Sequence, residues 1–370
     1  MMFRKPMDLI ARLDWLFILS VLALTVIGIV FIYSASYRNE EGWMTALTRR
    51  QIVWTLVGIG CFIVALRADY RLIAANSWWI YGACLVLLAL VLVMGVKIYG
   101  AYRWLNLFGI RVQPSEFAKL GTLLLLARYL SVPARDMRDK KTMLAVLAMT
   151  AVPFIMVLRQ PDLGTAMMLA PLALGLLFVA GVPMRYLLFL GLVGLLLSPV
   201  AWFNLEDYQR DRLLVFFDAS RDPLGRGWNK IQSEIAVGSG GLTGKGFMMG
   251  TQNILGFLPR TVAPTDFIFS VIAEESGFAG AALVLGLYGL VLFCGVRAAI
   301  VARDKLGRLI ATGVVILLFC HLFVNIAMTV GLAPITGLPL PLISYGGSFM
   351  VCTMTGLGLV QSVYARRIER

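Results

Sequence analysis

Hydrophobic positions in this chain run in long blocks, each closed by charge or by a Pro/Gly break. Blocks near the roughly 20 residues that a helix needs to cross a bilayer fall at about 15–33, 51–66, 78–96, 117–130, 143–158, 163–181, 186–202, 267–296, 309–333 and 349–364. The pattern predicts an all-α polytopic membrane protein of about ten transmembrane helices, forming one membrane domain over 1–370. The first block is too long for a signal peptide and lacks a small-residue cleavage site, so it reads as a retained span. Segments 153–165 and 331–348 (GLAPITGLPLPLISYGGS) break apolar runs with Pro and Gly. Broken backbone at membrane depth survives only beside protein or a water-filled cavity, which implies a polar cavity among the helices. No internal repeat is evident. The connection between the seventh and eighth spans, about 203–266, is long, and loops of that length are usually functional.

Composition agrees with the pattern. The chain is 59% hydrophobic and 14% charged, with a mean hydropathy of +0.84. A soluble domain carries roughly 25% charged residues, so a soluble enzyme is excluded. The net charge of +13 would suggest an acidic partner in a soluble protein, but here it first reports orientation. Eighteen Lys/Arg lie on one side: Arg4, Lys5, Arg12, Arg67, Arg71, Arg128, Arg135, Arg138, Lys140, Lys141, Arg185, Arg297, Arg303, Lys305, Arg308, Arg366, Arg367 and Arg370. The short loops opposite hold seven: Arg38, Arg49, Arg50, Lys97, Arg103, Arg111 and Arg159. Both termini are therefore expected in the cytoplasm. The 203–266 loop then lies on the outer face, where its seven basic and seven acidic residues balance. Asp8, Asp14, Asp69, Asp136, Asp139, Asp304 and Glu369 leave the inner face at +11. The basic excess thus orients the protein and gives no reason to expect nucleic acid. The five Cys have no CxxC spacing, and the single His321 lies in an apolar run. Disulfide frameworks, zinc sites and Ser/His or Cys/His catalysis are not expected.

Charged motifs fall where a membrane should exclude them. QPSEFAK places Glu116 and Lys119 three apart on one helix face, either as a neutralising ion pair or as groups lining the cavity. In RQPDLGT, Asp162 is either a helix N-cap or an acid at the cavity mouth. Arg210 and Arg212 in YQRDRLLVFFD either snorkel at the interface or grip a lipid-linked phosphate bidentately. The glycine-rich GSGGLTGKG does not match a Walker A loop, because Ser239 and Gly246 stand at two defining positions. It is either a tight turn or a backbone nest that, with Lys245, holds an anion. In PTDFIFSVIAEE, Thr265–Asp266 is most simply a helix cap. Glu274 and Glu275 follow with no basic residue nearby in sequence, so at least one needs a buried partner or a raised pKa.

QPSE, RQPDLGT, YQR, DPLGRGW with IQS, GSGGLTGKG, GTQ with FLP, PTDFIF with AEE, and PLPLISYGGS stand in the order seen in the SEDS family of bacterial cell-wall polymerases, which the chain resembles from the second span to the tenth. GTQNILGFLP and QPDLGT are more similar to its elongation-type than to its division-type members. The resemblance implies a peptidoglycan glycosyltransferase of the bacterial cytoplasmic membrane that polymerises lipid II on the outer face, with undecaprenyl pyrophosphate leaving. It also implies a class B penicillin-binding protein as partner within an elongation complex. By the same resemblance Asp266 matches the acid of a T-D-F motif proposed as catalytic. The family more often has Glu, a short step and His before Thr-Asp, where this chain has Arg260, Thr261, Val262, Ala263 and Pro264. Substrate-binding candidates are Arg103, Arg210, Arg212, Lys245, Glu116, Lys119, Asp162, Thr265 and Ser348, with Arg260 a further cation. No cofactor is assigned, and a divalent cation, Mg or Mn, is the one supplement left open. The other readings are a flippase or transporter for lipid-linked precursor, motivated by the charges within spans, a division-type role, and a non-catalytic scaffold that activates a partner enzyme.

Overall fold

The computed structural model describes residues 11–37, 44–98, 101–107, 109–133 and 135–367. Arg4, Lys5, Asp8, Arg38, Glu369 and Arg370 of the charge reading lie outside them. All ten expected spans are helical: α1 Trp15–Ser36, α2 Ala46–Arg67, α3 Ser77–Met94, α4 Pro114–Leu130, α5 Lys140–Leu158, α6 Leu163–Ala180, α7 Met184–Asn204, and, after the outer loop with its helices α8 Asp207–Phe217 and α9 Arg226–Ser239, α10 Ile268–Ile300, α11 Lys305–Thr329 and α12 Gly347–Ala365. Eight of these, among the described residues, are long and apolar enough to cross a membrane, and the chain is a multi-pass helical membrane protein.

The other two helices differ from these in opposite ways. Thirteen of the 17 residues of α4 are buried, so this helix meets protein rather than lipid and can carry Glu116 and Lys119. Helix α7 has Pro199 inside it and buries none of its described side chains, which places it at the periphery. Close packing elsewhere rests on small residues. A Cβ on Gly358 of α12 would lie 2.5 Å from the Phe62 carbonyl oxygen of α2.

Several acids counted on the inner face are helix caps. Asp14 accepts from the Phe17 N–H at 3.3 Å, Asp139 from Lys141 at 2.9 Å and Asp304 from Gly307 at 2.7 Å. Each carboxylate satisfies an orphan donor at the positive end of a helix dipole.

Two local features depart from the sequence reading. The helical pattern is interrupted by a small antiparallel meander, β1 Val96–Ile98, β2 Ala101–Leu107 and β3 Ile110–Val112, and β2 carries Arg103. Its apolar residues extend the hydrophobic block of α3, so periodicity alone gave no boundary. The 33 residues of α10 amount to about 50 Å of helix, more than a bilayer core, and the excess is divided at Gly277 (φ 64°, ψ −163°). The break frees backbone groups that the glycine-rich loop satisfies. Phe278 and Ala279 N–H donate to Gly241 and Leu242 carbonyls at 2.8 and 3.0 Å, and Lys245 and Gly246 N–H donate to Glu274 and Glu275 carbonyls at 3.0 Å. Residues 240–246 are therefore the complement of a helix kink, and the Lys245 and Gly246 amides are engaged there.

Candidate active site

Asp266 lies in a turn just before α10. The Val262 carbonyl gathers the N–H groups of Thr265, Asp266 and Phe267 at 3.2, 2.9 and 3.2 Å, and the Thr265 hydroxyl donates to the same carbonyl at 3.1 Å. The cap position of α10 is Phe267, with no side-chain cap bond. The Asp266 carboxylate is thus not a helix cap, and the simplest sequence reading of it is corrected. Among the described residues no ion pair within 4.0 Å reaches it. The residue is half-buried, and lost hydration pushes its pKa up to about 6, against the pull of Arg212, Thr265 and Arg103, with Asp162 adding to the rise.

A set of cations faces this acid. Arg212 of α8 donates to the Thr336 carbonyl at 2.9 Å. The next residue, Gly337 (φ 74°), borders the acid, since a Cβ there would lie 3.4 Å from the Asp266 Oδ2. Burial, with Arg226 and Arg103 nearby, pushes the Arg212 pKa down to about 10, which leaves it cationic at neutral pH. Arg103 donates to the Pro161 carbonyl and pairs with Asp162 at 3.7 Å. The Nε groups of both Arg103 and Arg212 are buried without a partner among the described residues. Two free guanidinium N–H donors, near an acid that their charges stabilise without a direct ion pair, form a site that suits an anion and a proton transfer. Arg226 and Lys230 of α9 join Arg212 along a narrow crevice.

The other candidates sort into separate groups. Asp162 caps α6, accepting from Thr165 N–H at 3.2 Å and Thr165 Oγ1 at 2.9 Å, and through Arg103 it also reaches the Asp266 region. Arg210 donates to the Trp202 and Phe203 carbonyls at 3.1 and 2.8 Å, closing the end of α7. Arg260 donates to the Ile254 carbonyl at 3.3 Å. Ser348 accepts from the Gln113 N–H at 3.0 Å. Glu116 and Lys119 form a buried pair at 2.9 Å, and Lys119 Nζ lies 2.7 Å from His321 Nε2. Together the three line a small cavity of about 50 Å³ with Phe349, Leu317 and Leu357.

Glu274 and Glu275 do find partners. Lys245 Nζ reaches Glu274 Oε1 at 2.7 Å and the Thr251 hydroxyl at 2.7 Å, while Ser34 of α1 donates to Glu275 at 2.6 Å. The pair was hidden because 29 residues separate its members. Lys245→Met leaves Glu274, 1% exposed, without a counter-charge, and should destabilise the fold by about 2 kcal/mol. The expected signature is a lower melting temperature in detergent, with strand synthesis per folded molecule unchanged at a permissive temperature.

Sequence reasoning missed Arg226, Thr336 and Asn325, and it set His321 aside as part of an apolar run. For His321 a signal existed, because Lys119 on another span needed a polar neighbour. For Thr336 none did, since its contribution is a backbone carbonyl.

No three Asp, Glu, His or Cys side chains converge as a metal cage among the described residues; of the charged groups facing Asp266 two are guanidiniums, which repel a cation, and the third is the Asp162 carboxylate, already paired with Arg103. The donor set does not fit Mg or Mn held by protein alone.

The family of FtsW, RodA and SpoVE, described as cell cycle proteins, matches residues 14–368. Peptidoglycan glycosyltransferase MrdB of Escherichia coli K12 is 39% identical over 360 residues, covering 96% of this chain and 94% of that one. A chain from a peptidoglycan synthase complex, solved for the structural coordination of polymerization and crosslinking, superposes with TM-score 0.80 at 34% identity over 97% of this chain and 99% of its own. The rod shape determining protein RodA of Thermus thermophilus superposes with TM-score 0.72 at 33% identity, over 97% and 98%.

Proposed function

The chain belongs to the FtsW/RodA/SpoVE family, and from that premise we propose that this peptidoglycan glycosyltransferase polymerises lipid II at the outer face of the bacterial cytoplasmic membrane, with both termini in the cytoplasm. The observation that carries the reading is the half-buried Asp266, unpaired and with its pKa raised to about 6, beside the free Nε donors of Arg103 and Arg212.

Joining two lipid II units requires the 4-hydroxyl of an acceptor GlcNAc to attack the anomeric carbon of a donor MurNAc as the pyrophosphate leaves. Asp266 takes the hydroxyl proton, and a base with a pKa near the working pH is effective because it is deprotonated and still basic. Arg103 and Arg212 offset the charge that develops on the departing pyrophosphate. An α-linked donor and a β-1,4 product make the transfer inverting, so one base suffices and no sugar–enzyme bond forms.

The likeness to a rod shape determining protein and to a chain from a peptidoglycan synthase complex supports a role in lateral wall elongation, with a single-span class B penicillin-binding protein as the partner that crosslinks the strands.

The pH dependence follows from Asp266. Below its pKa the carboxyl is protonated and cannot accept the hydroxyl proton, so the rate should fall as pH drops through about 6 and level off above it. A strand-synthesis assay from pH 5 to 8 on purified protein reads this directly. A rate independent of pH over that range would exclude Asp266 as the base.

A further inference from the structure

We propose that Asn325 and Ser344 are positioning residues for Asp266, a clamp that grips the backbone on both sides of the Asp266 peptide and so sets where its carboxylate points. The inference rests on the polymerase reading above.

Three successive carbonyls of the turn are each held by a distant segment. Pro264 O accepts from the Tyr345 N–H at 2.9 Å, Thr265 O from the Ser344 hydroxyl, and Asp266 O from Asn325 Nδ2 at 2.9 Å. The same side chains tie down the loop on the other side of the acid. Asn325 Nδ2 also donates to Leu338 O at 2.8 Å, and the Ser344 hydroxyl accepts from Leu340 N–H at 2.8 Å. Because both Asn325 contacts are carbonyls, its amide NH₂ must face them. That leaves its buried Oδ1 without a partner among the described residues, an arrangement that costs stability and that suits a group retained for geometry.

Asn325 and Ser344 are 0% and 1% exposed, so neither meets substrate. The charges facing Asp266 come from elsewhere: Arg212 of α8, Arg103 of β2 and Asp162 at the start of α6. The clamp is neutral and acts on orientation alone. With no ion pair on the carboxylate among the described residues, the backbone, the neighbouring Thr265 hydroxyl and the bordering Gly337 set its direction, and a misplacement of about 1 Å can cost about 100-fold in rate.

The test compares Ser344→Ala, Ser344→Thr and Asn325→Asp with wild type, using lipid II, and reads kcat, KM, the acid limb of the pH profile and the melting temperature. Expected for Ser344→Ala is a kcat lower by about tenfold or more, a KM within about twofold and a displaced pH inflection, with Ser344→Thr restoring all three because it keeps the hydroxyl. Asn325→Asp, which removes the donor at the same volume, should lower kcat likewise. Ser344→Ala with the wild-type kcat and inflection overturns the clamp. So does a lowered melting temperature accompanied by an unchanged kcat per folded molecule. If wild type itself makes no strands, the polymerase reading fails and the clamp fails with it.

Discussion

Asp266→Asn should reduce strand synthesis by about 10²–10⁴-fold, the usual contribution of a positioned general base, while leaving the protein folded. The substitution keeps the volume and removes only the charge and the basicity. Among the described residues it breaks no ion pair within 4.0 Å and no helix cap, and the Asn amide oxygen can still accept from Thr265, so little structural loss accompanies the chemical one. Stability should move the other way. The folded carboxyl has a pKa of about 6 against an ordinary 3.8, so across that window the native state binds a proton that the unfolded state has released, and stability falls as pH rises through it. At neutral pH the native protein carries this cost in full, and Asp266→Asn relieves it. The variant should therefore melt at or above the wild-type temperature at pH 7 while making almost no product. An Asn variant that melts lower and works normally would make Asp266 a structural residue.

Gly277→Val should be the most damaging structural change. The residue holds φ 64° inside α10, and a Cβ there would lie 2.3 Å from Gly244 N and 2.7 Å from the Leu242 carbonyl carbon. Both contacts are backbone, so no rotamer can relieve them, and a β-branched residue is further disfavoured at positive φ. Relief would require undocking residues 240–246 from the kink. That would unpair four backbone hydrogen bonds and disturb the Lys245–Glu274 contact anchored beside them. The expected loss is above about 3 kcal/mol, seen as aggregated protein or a sharply lowered melting temperature. Gly286→Ala in the same helix meets nothing within 4 Å and should melt like wild type. If Gly277→Val behaves like Gly286→Ala, the kink is not held by the loop.

The membrane frame was legible because the bilayer demands about 20 apolar residues per helix, and no other constraint writes so plainly. Asp266 was singled out by its match to a T-D-F motif; its position alone, after a proline-bearing loop and before an apolar helix, read most simply as a helix cap. Arg103 and Arg212 were named as candidate cations, but what places them beside Asp266 was not legible. Arg103 arrives on a strand that an apolar block concealed, Arg212 is fixed by the carbonyl of Thr336, and Asn325 reads as one more polar residue in a span. Lys245 shows the converse: beside glycines it suggested an anion site, and only tertiary pairing gives it to Glu274. Sequence spacing reports which residues share an element. The approach of elements distant in the chain depends on packing, which one sequence does not display.

The central claim is that this chain itself joins lipid-linked disaccharides. The most direct measurement gives the purified protein lipid II in detergent, without a partner enzyme or with only its transpeptidase, and resolves the products by electrophoresis, with Asp266→Asn run beside it. The account predicts a ladder of glycan strands from wild type and none from the variant. Lipid II left as monomer, with translocation across reconstituted vesicles as the sole activity, would contradict it and identify a transporter.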